Sequence, residues 1–401
     1  KGIVPAGKLT LAAKTGVYIT DDMTGEANGK ALVINADSDA TGSSGTLTVA
    51  STKTVTSNKS DVTITAWDVD LAGSLSAGTQ AITIHGAEAS QSIGLGVTST
   101  NMDISDGELG RMTAEGGVTL GSASSGSIVV DGVTDGNSDT VGTLTLVATK
   151  AAATVSFVTA ASKFNKGVVV QAMGGVALSN SVTTQLAETV VYAGTGALTV
   201  KSTFSLDTTN QLLTITADAI DLSGTAVSSG TSAIVLNCVS AGRSVGLGSG
   251  AGDMSVSGAE LGVVTANGMT IGGAQCGSQI VAGVTAANSN GISGVLTLLA
   301  SRDDATVTFS GTGSTFNALT ASADKGVVIS VDATTDTGAM HLEGDSDNAD
   351  TSLDTVGITD GRTLTAETVM TLESTTKGIV PAGKLTLAAK TGVYITDDMT
   401  G

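Results

Sequence analysis

The chain has 401 residues, with 53 Gly, 2 Pro, 2 Cys and few rings (1 Trp, 3 Tyr, 5 Phe), and only 14% of it is charged although the net charge is −19. Sparse charge with a positive mean hydropathy of +0.30 excludes a disordered chain, and Gly without a three-residue period excludes collagen. The acidic surface repels phosphate backbones and anionic lipid, which excludes nucleic acid as a partner, and no run of about 18 apolar residues offers a membrane span.

From the first residues onward, apolar–polar–apolar tetrads recur at short intervals: LTLA from Leu9, VYIT from Val17, LVIN from Leu32, LTVA from Leu47, VTIT from Val62 and ITIH from Ile82. Period-two alternation rich in Val, Ile and Thr is the pattern of a strand with one buried face. Gly, Ser, Asn and Asp separate the tetrads and supply the turns. No stretch carries a helical apolar period, so the expectation is strand throughout and essentially no helix.

The tetrads are organised by repeats at two lengths. Residues 1–25 recur unchanged as residues 377–401, and Pro5 and Pro381 both belong to these copies. The start at Lys1-Gly2-Ile3-Val4, without Met, reads as the middle of something longer. The expectation is a window on a tandem array whose unit is residues 1–376. Within that unit lies an older duplication. SIGLG from Ser92 matches SVGLG from Ser244, Met102 and Glu108-Leu109 match Met254 and Glu260-Leu261, and Phe157 and Phe164 match Phe309 and Phe316. The expected divisions are 1–45 (end of a repeat unit), 46–197 and 198–348 (two module copies), 349–376 (remainder of the unit) and 377–401 (start of the next unit).

Strands of four or five residues hold a sheet only when stacked on equivalents one coil away, about 4.8 Å apart. Nested repeats of such strands point to an all-β, right-handed parallel β-helix, a β-solenoid that is elongated and open-ended, with coils of roughly 20 residues. Two or three tetrads fit each coil. A narrow core accounts for the scarcity of rings. The competing architecture is a string of β-sandwich domains, which uses longer strands and a buried ring in each module. Trp67 is matched by Asp218 in the second copy and does not serve as such an anchor.

The run from SIGLG through GELGRMT to GGVTLGSASSGSIVVDG, with its second copy SVGLG, GAELGVVTANGMTIGG and GSQIVAGV, resembles the repeats of filamentous-haemagglutinin-type proteins and of giant repetitive surface proteins. The resemblance implies a long extracellular β-helical shaft at the cell surface, often adhesive. It departs from that family in lacking any secretion or cap module.

Chemistry is sparse. GRSVG at Gly242 to Gly246 has the spacing of a hydrolase nucleophile elbow, but that elbow needs a helix after the strand. The matching residues, Ser90-Gln91-Ser92-Ile93-Gly94, lack the first glycine. GLGSGAG from Gly246 has no Lys after it to act as a phosphate loop. His85 and His341 are the only histidines, so neither a His-based triad nor a two-His metal site has support, and His85 is matched by Asn237. Asp345, Asp347, Asp350, Asp37 and Asp39 cluster in turns where Ca²⁺ takes oxygen ligands, but none completes a recognised loop, and solvated turns are the simpler reading. Cys238 and Cys276 are too few for a disulfide framework and read as two separate buried residues, with a single bridge as the alternative.

Thr-x-Thr pairs at Thr46/Thr48, Thr63/Thr65, Thr214/Thr216, Thr306/Thr308 and Thr363/Thr365 would suit an ice- or polysaccharide-binding face only if aligned, and their spacing is irregular. Asn58-Lys59-Ser60 is a glycosylation sequon, making Asn58 the candidate glycan site. No catalytic residues and no cofactor are expected. The expected function is a structural repeat unit of a giant secreted protein, forming the rigid shaft of an extracellular filament. Its partners would be neighbouring repeat units end to end, with lateral self-association into a fibre as a further option. The alternatives are the stalk of a large adhesin and, behind it, a polysaccharide-acting enzyme or an ice-binding protein.

Overall fold

Alternating side chains on short strands leave each strand one face to bury, and parallel stacking buries it. A computed structural model describes residues 3–25, 29–349 and 353–400. The chain forms two compact units, Lys1–Gln211 and Leu212–Gly401. Each is a parallel β-solenoid with three strands to most coils, and the sandwich architecture is excluded.

In the first unit the first strand of each coil belongs to one sheet: Leu9–Ala12, Leu32–Asn35, Val62–Ala66, Ile82–Gly86, Val118–Ser122, Leu144–Ala148, Val168–Ala172 and Thr189–Tyr192. The register aligns inward residues into columns. Ile34 stacks on Ile64, Ile64 on Ile84, Ile84 on Leu120, Leu120 on Leu146 and Leu146 on Val170. All of these are buried. Second strands such as Ile128–Asp131, Val155–Phe157 and Val176–Leu178, and third strands such as Thr54–Thr56 and Ser74–Gly78, repeat the arrangement on the other sides.

The second unit is built alike. Its first strands are Leu213–Thr216, Ala233–Asn237, Gly268–Gly272, Val295–Ala300, Ala318–Ala323, Met340–Glu343, Val369–Glu373 and Gly392–Ile395. The inward column there runs Leu236, Ile271, Leu298, Ala321, Leu342 and Leu372.

Coil length varies because insertions enter at corners and leave the strand register intact. The coil from Ile82 to Val118 is nearly twice as long as the one from Val62 to Ile82, yet both close on the same column. The long coil holds an extra strand, Met102–Ile104, paired with Ile93–Gly96, and then a single helical turn, Asp106–Leu109. Its counterpart in the second unit holds Met254–Val256 and Gly258–Leu261. The expectation of essentially no helix holds: among the described residues helix is confined to isolated single turns, including Ala286–Ser289 and the 3₁₀ turn Asp135–Asn137. Phenylalanine rings are also buried, Phe157 against Phe164 edge-on at 6.4 Å, and Phe309 and Phe316. The core is therefore wide enough for rings at these levels.

The two identical segments, 1–25 and 377–401, are not placed alike. In the first unit Leu9–Ala12 is a first strand on Leu32–Asn35, and Gly16–Ile19 is a second strand on Thr46–Val49. In the second unit Leu385–Ala389 is a third strand on Arg362–Ala366, and Gly392–Ile395 is a first strand on Val369–Glu373. The coil itself closes the same way, with Ile3 bridged to Met23 and Ile379 to Met399. Each segment keeps its own winding while its strands move by one position around the coil.

The columns predict a sharp contrast within one strand. Ile84→Ala should cost about 2–5 kcal/mol of stability, whereas Thr83→Ala, on the outward side, should cost under about 1 kcal/mol. Denaturant midpoints check this, and equal losses would mean that the alternation does not face a core.

Candidate functional site

Each unit carries a polar corner on its longest coil. Ser105 caps the turn Asp106–Leu109: its hydroxyl accepts the Glu108 N–H at 3.2 Å, and the Glu108 carboxylate accepts the Ser105 N–H at 2.8 Å. This is the capping box, for which Ser-x-x-Glu was a visible signal. Glu108 also accepts the Leu71 N–H at 2.8 Å from the preceding coil, while Arg111 donates its Nε–H to the Leu71 carbonyl at 2.5 Å. In the second unit Ser257 and Glu260 repeat the box, and Glu260 accepts the Leu222 N–H at 3.0 Å. Leu109 and Leu261 are fully buried beneath these turns. The duplicated Glu-Leu pair therefore clamps one coil to the next. Each of these carboxylates thus accepts two backbone N–H groups.

The cysteines correct the expectation of separate thiols. Cys238, just after Ala233–Asn237, is disulfide-bonded to Cys276 at the start of Cys276–Ala282, closing a sequence separation of 38. Nothing in the spacing signalled this, because the partners meet only through the coil.

The acidic turn residues lie apart in function. Asp37 is 1% exposed and neither of its oxygens has a hydrogen-bond partner. Burial pushes its carboxyl above the ordinary value of 3.8, and the charge of Asp39 adds to the effect. Asp39 itself sits 4.0 Å from Lys14 Nζ. Asp345 is buried and accepts the Thr376 N–H at 2.8 Å, and Asp347 accepts the Ala349 N–H at 2.9 Å. Asp347 also faces Asp324, whose carboxyl is pushed up by burial foremost. Asp350 lies outside the described residues. Among the described residues no group of three or more His, Cys, Asp or Glu is arranged to hold a metal ion.

The remaining candidates fall on strand surfaces and turns. Arg243 and Ser244 of the GRSVG motif belong to the strand Arg243–Gly248, and no helix follows directly. The Ser244 hydroxyl donates to Asp253 at 2.7 Å, as that of Ser92 donates to Asn101 at 2.8 Å in the other copy, so the serine ties a loop. Gly96 and Gly248, which end the SIGLG and SVGLG runs, adopt φ of +98° and +70°, and a Cβ there would strike the carbonyls of Asp131 and Ala282.

His85 points outward, its Nε2 3.2 Å from the Thr65 hydroxyl, and His341 lies 3.2 Å from Glu373. Trp67 is half-buried. Asn58 is exposed in a turn with φ of +56°. The Thr-x-Thr pairs are scattered: Thr46 and Thr48 lie on a second strand, Thr63 and Thr65 on a first, and Thr363 and Thr365 on a third.

No protein-family model, curated protein or solved structure matches the chain. Among the described residues no helix is long and apolar enough to cross a membrane.

Two measurements follow from these sites. Because folding raises the Asp37 pKa, the folded state holds that proton more tightly, and the carboxylate costs stability as pH climbs through and above 3.8. Asp37→Asn should therefore raise the unfolding midpoint at pH 7 and leave it little changed near pH 3; a pH-independent effect would mean that the charge is not the cause. Replacing both cysteines by serine should lower stability by up to about 4 kcal/mol through the lost loop constraint. Alkylation of the unreduced protein should label neither thiol.

Proposed function

We propose that this chain is a structural repeat unit, the rigid shaft of an extracellular or cell-surface filament, and not an enzyme. The observation that carries the proposal is the stacking of near-equivalent coils in both units, with polar groups engaged mainly in holding coil to coil. A solenoid has no intrinsic limit on coil number, so the recurrence of residues 1–25 as 377–401 suits a device whose property is length. The disulfide supports an oxidising compartment, hence secretion. The resemblance to filamentous-haemagglutinin-type repeats supports the same reading.

The test is to express one, two and three tandem copies of the repeat unit, residues 1–376, and image them. Rods of constant width whose length grows in proportion to copy number, by about 4.8 Å per coil, are expected. Compact particles joined by flexible tethers would overturn the proposal.

A further inference from the structure

The outward residues of the first strands form a continuous row in each unit. In the first unit the register stacks Thr10, Val33, Thr63, Thr83, Thr119, Thr145, Val169 and Val190. Every member is Thr or Val, two side chains of the same shape. In the second unit the row is Thr214, Val235, Thr270, Thr297, Thr320, His341, Thr371 and Tyr394. Thr63, Thr119 and Thr145 correspond through the internal duplication to Thr214, Thr270 and Thr297.

The threonines of these rows are open to contact, and two further properties set the rows apart. Apart from exposed Thr10, the threonines named here are half-buried, and their side chains make no hydrogen bond among the described residues, as is also the case for the outward Thr199 and Thr334 on other sides. In the first unit neither this row nor the outward row that follows it along the strands (Asn35, Thr65, His85, Gly121, Val147, Gln171) contains Asp, Glu, Lys or Arg, while exposed Lys8, Asp61 and Glu188 lie two residues before Thr10, Thr63 and Val190 at its edge. Second and third strands, by contrast, carry Asp68, Asp70, Asp103, Lys163 and Asp207 outward. Finally, no register shift interrupts the first-strand pairings, whereas Met112–Ala114 and Arg243–Gly248 each break register on other sides.

We infer that the first-strand face of each unit is a lateral docking surface for a second copy of this chain. The inference rests on the shaft reading and names its side-by-side contact. A second copy presents the same row at the same spacing of about 4.8 Å, so methyl groups of one row seat between those of the other at every coil. No ligand of different period keeps that match. Charge selects the same face. Copies bearing −19 repel one another wherever carboxylates meet. These two rows hold none in the first unit and only Glu343 and Glu373 in the second.

Ice would need two matched threonine rows, and the neighbouring row is mixed. A polysaccharide face would use rings, and only Tyr192 and Tyr394 stand there. Eight coils at about 4.8 Å with a strip about 10 Å wide give about 400 Å² per unit, half of the ~800 Å² per partner in a stable complex. Association is therefore weak for one unit and grows with the number of units in register.

The experiment is sedimentation velocity of the full chain over a concentration series, in low and moderate salt, beside two triple variants. Thr83→Glu/Thr119→Glu/Thr297→Glu puts carboxylates on the proposed face; Ser156→Glu/Thr199→Glu/Thr334→Glu puts the same charge on other sides. Circular dichroism and thermal melts establish that each variant is folded. Should the first variant not fold, Thr83→Lys alone replaces it.

The expected result is reversible self-association of the parent chain, strengthened by salt, weakened at least tenfold by the first variant and little by the second. A parent chain that is monomeric at every concentration and salt overturns the inference, as do two variants that associate alike. Binding of the parent chain to ice, cellulose or chitin, lost in the first variant without self-association, also overturns it. Thin unbundled rods in micrographs of tandem repeats would sink this inference while leaving the shaft reading intact; compact particles would sink the shaft reading instead.

Discussion

In a parallel stack each strand bonds on both edges to its equivalents one coil away, and the side chains at one level must fit those directly above and below. That requirement, more than any single contact, governs this chain. It turns alternating tetrads into columns such as Ile34–Ile64–Ile84–Leu120, and it favours side chains that tile at the strand spacing, which are branched aliphatics and threonine. It also explains why the chain manages with so few rings. A ring needs matching space at its own level, and the structure provides it where Phe157 and Phe164 meet edge-on.

The duplicated modules show how such a stack absorbs sequence change. Gln91 donates to the Trp67 carbonyl at 2.6 Å; Arg243, which stands in its place, donates to the equivalent carbonyl of Asp218. Two unlike side chains thus anchor the same corner to the coil before it. Burial would raise the Asp218 pKa, but bonds from the Ser240 hydroxyl, the backbone N–H groups of Ser240 and Val239, and nearby Arg243 together hold it below the usual value. The second module has gone further than the first here. Its Cys238 and Cys276 replace Gly86 and Ser125, adding a covalent tie where the first module relies on hydrogen bonds.

Fold class was legible because period-two alternation and nested repeats are local and arithmetical. Strand existence, the matched Glu108 and Glu260, and the secondary standing of Trp67 all follow from reading along the chain. What stayed hidden depends on which coil lies over which. Cys238 and Cys276 are far apart in sequence and meet only once coil lengths are known. Thr63, Thr83, Thr119 and Thr145 align although their spacing along the chain is uneven. The Thr-x-Thr pairs, obvious in sequence, disperse over different sides for the same reason. Irregular corners conceal regular faces.

The two identical segments carry a different lesson. Leu11 lies on Ile34, but its twin Leu387 lies on Leu364; Tyr18 stands beside Thr48, and Tyr394 beside Thr371. In the two units the same letters thus meet unlike neighbours. A stretch whose alternation suits any side of the coil does not choose its side by its own letters; the coil beside it makes that choice.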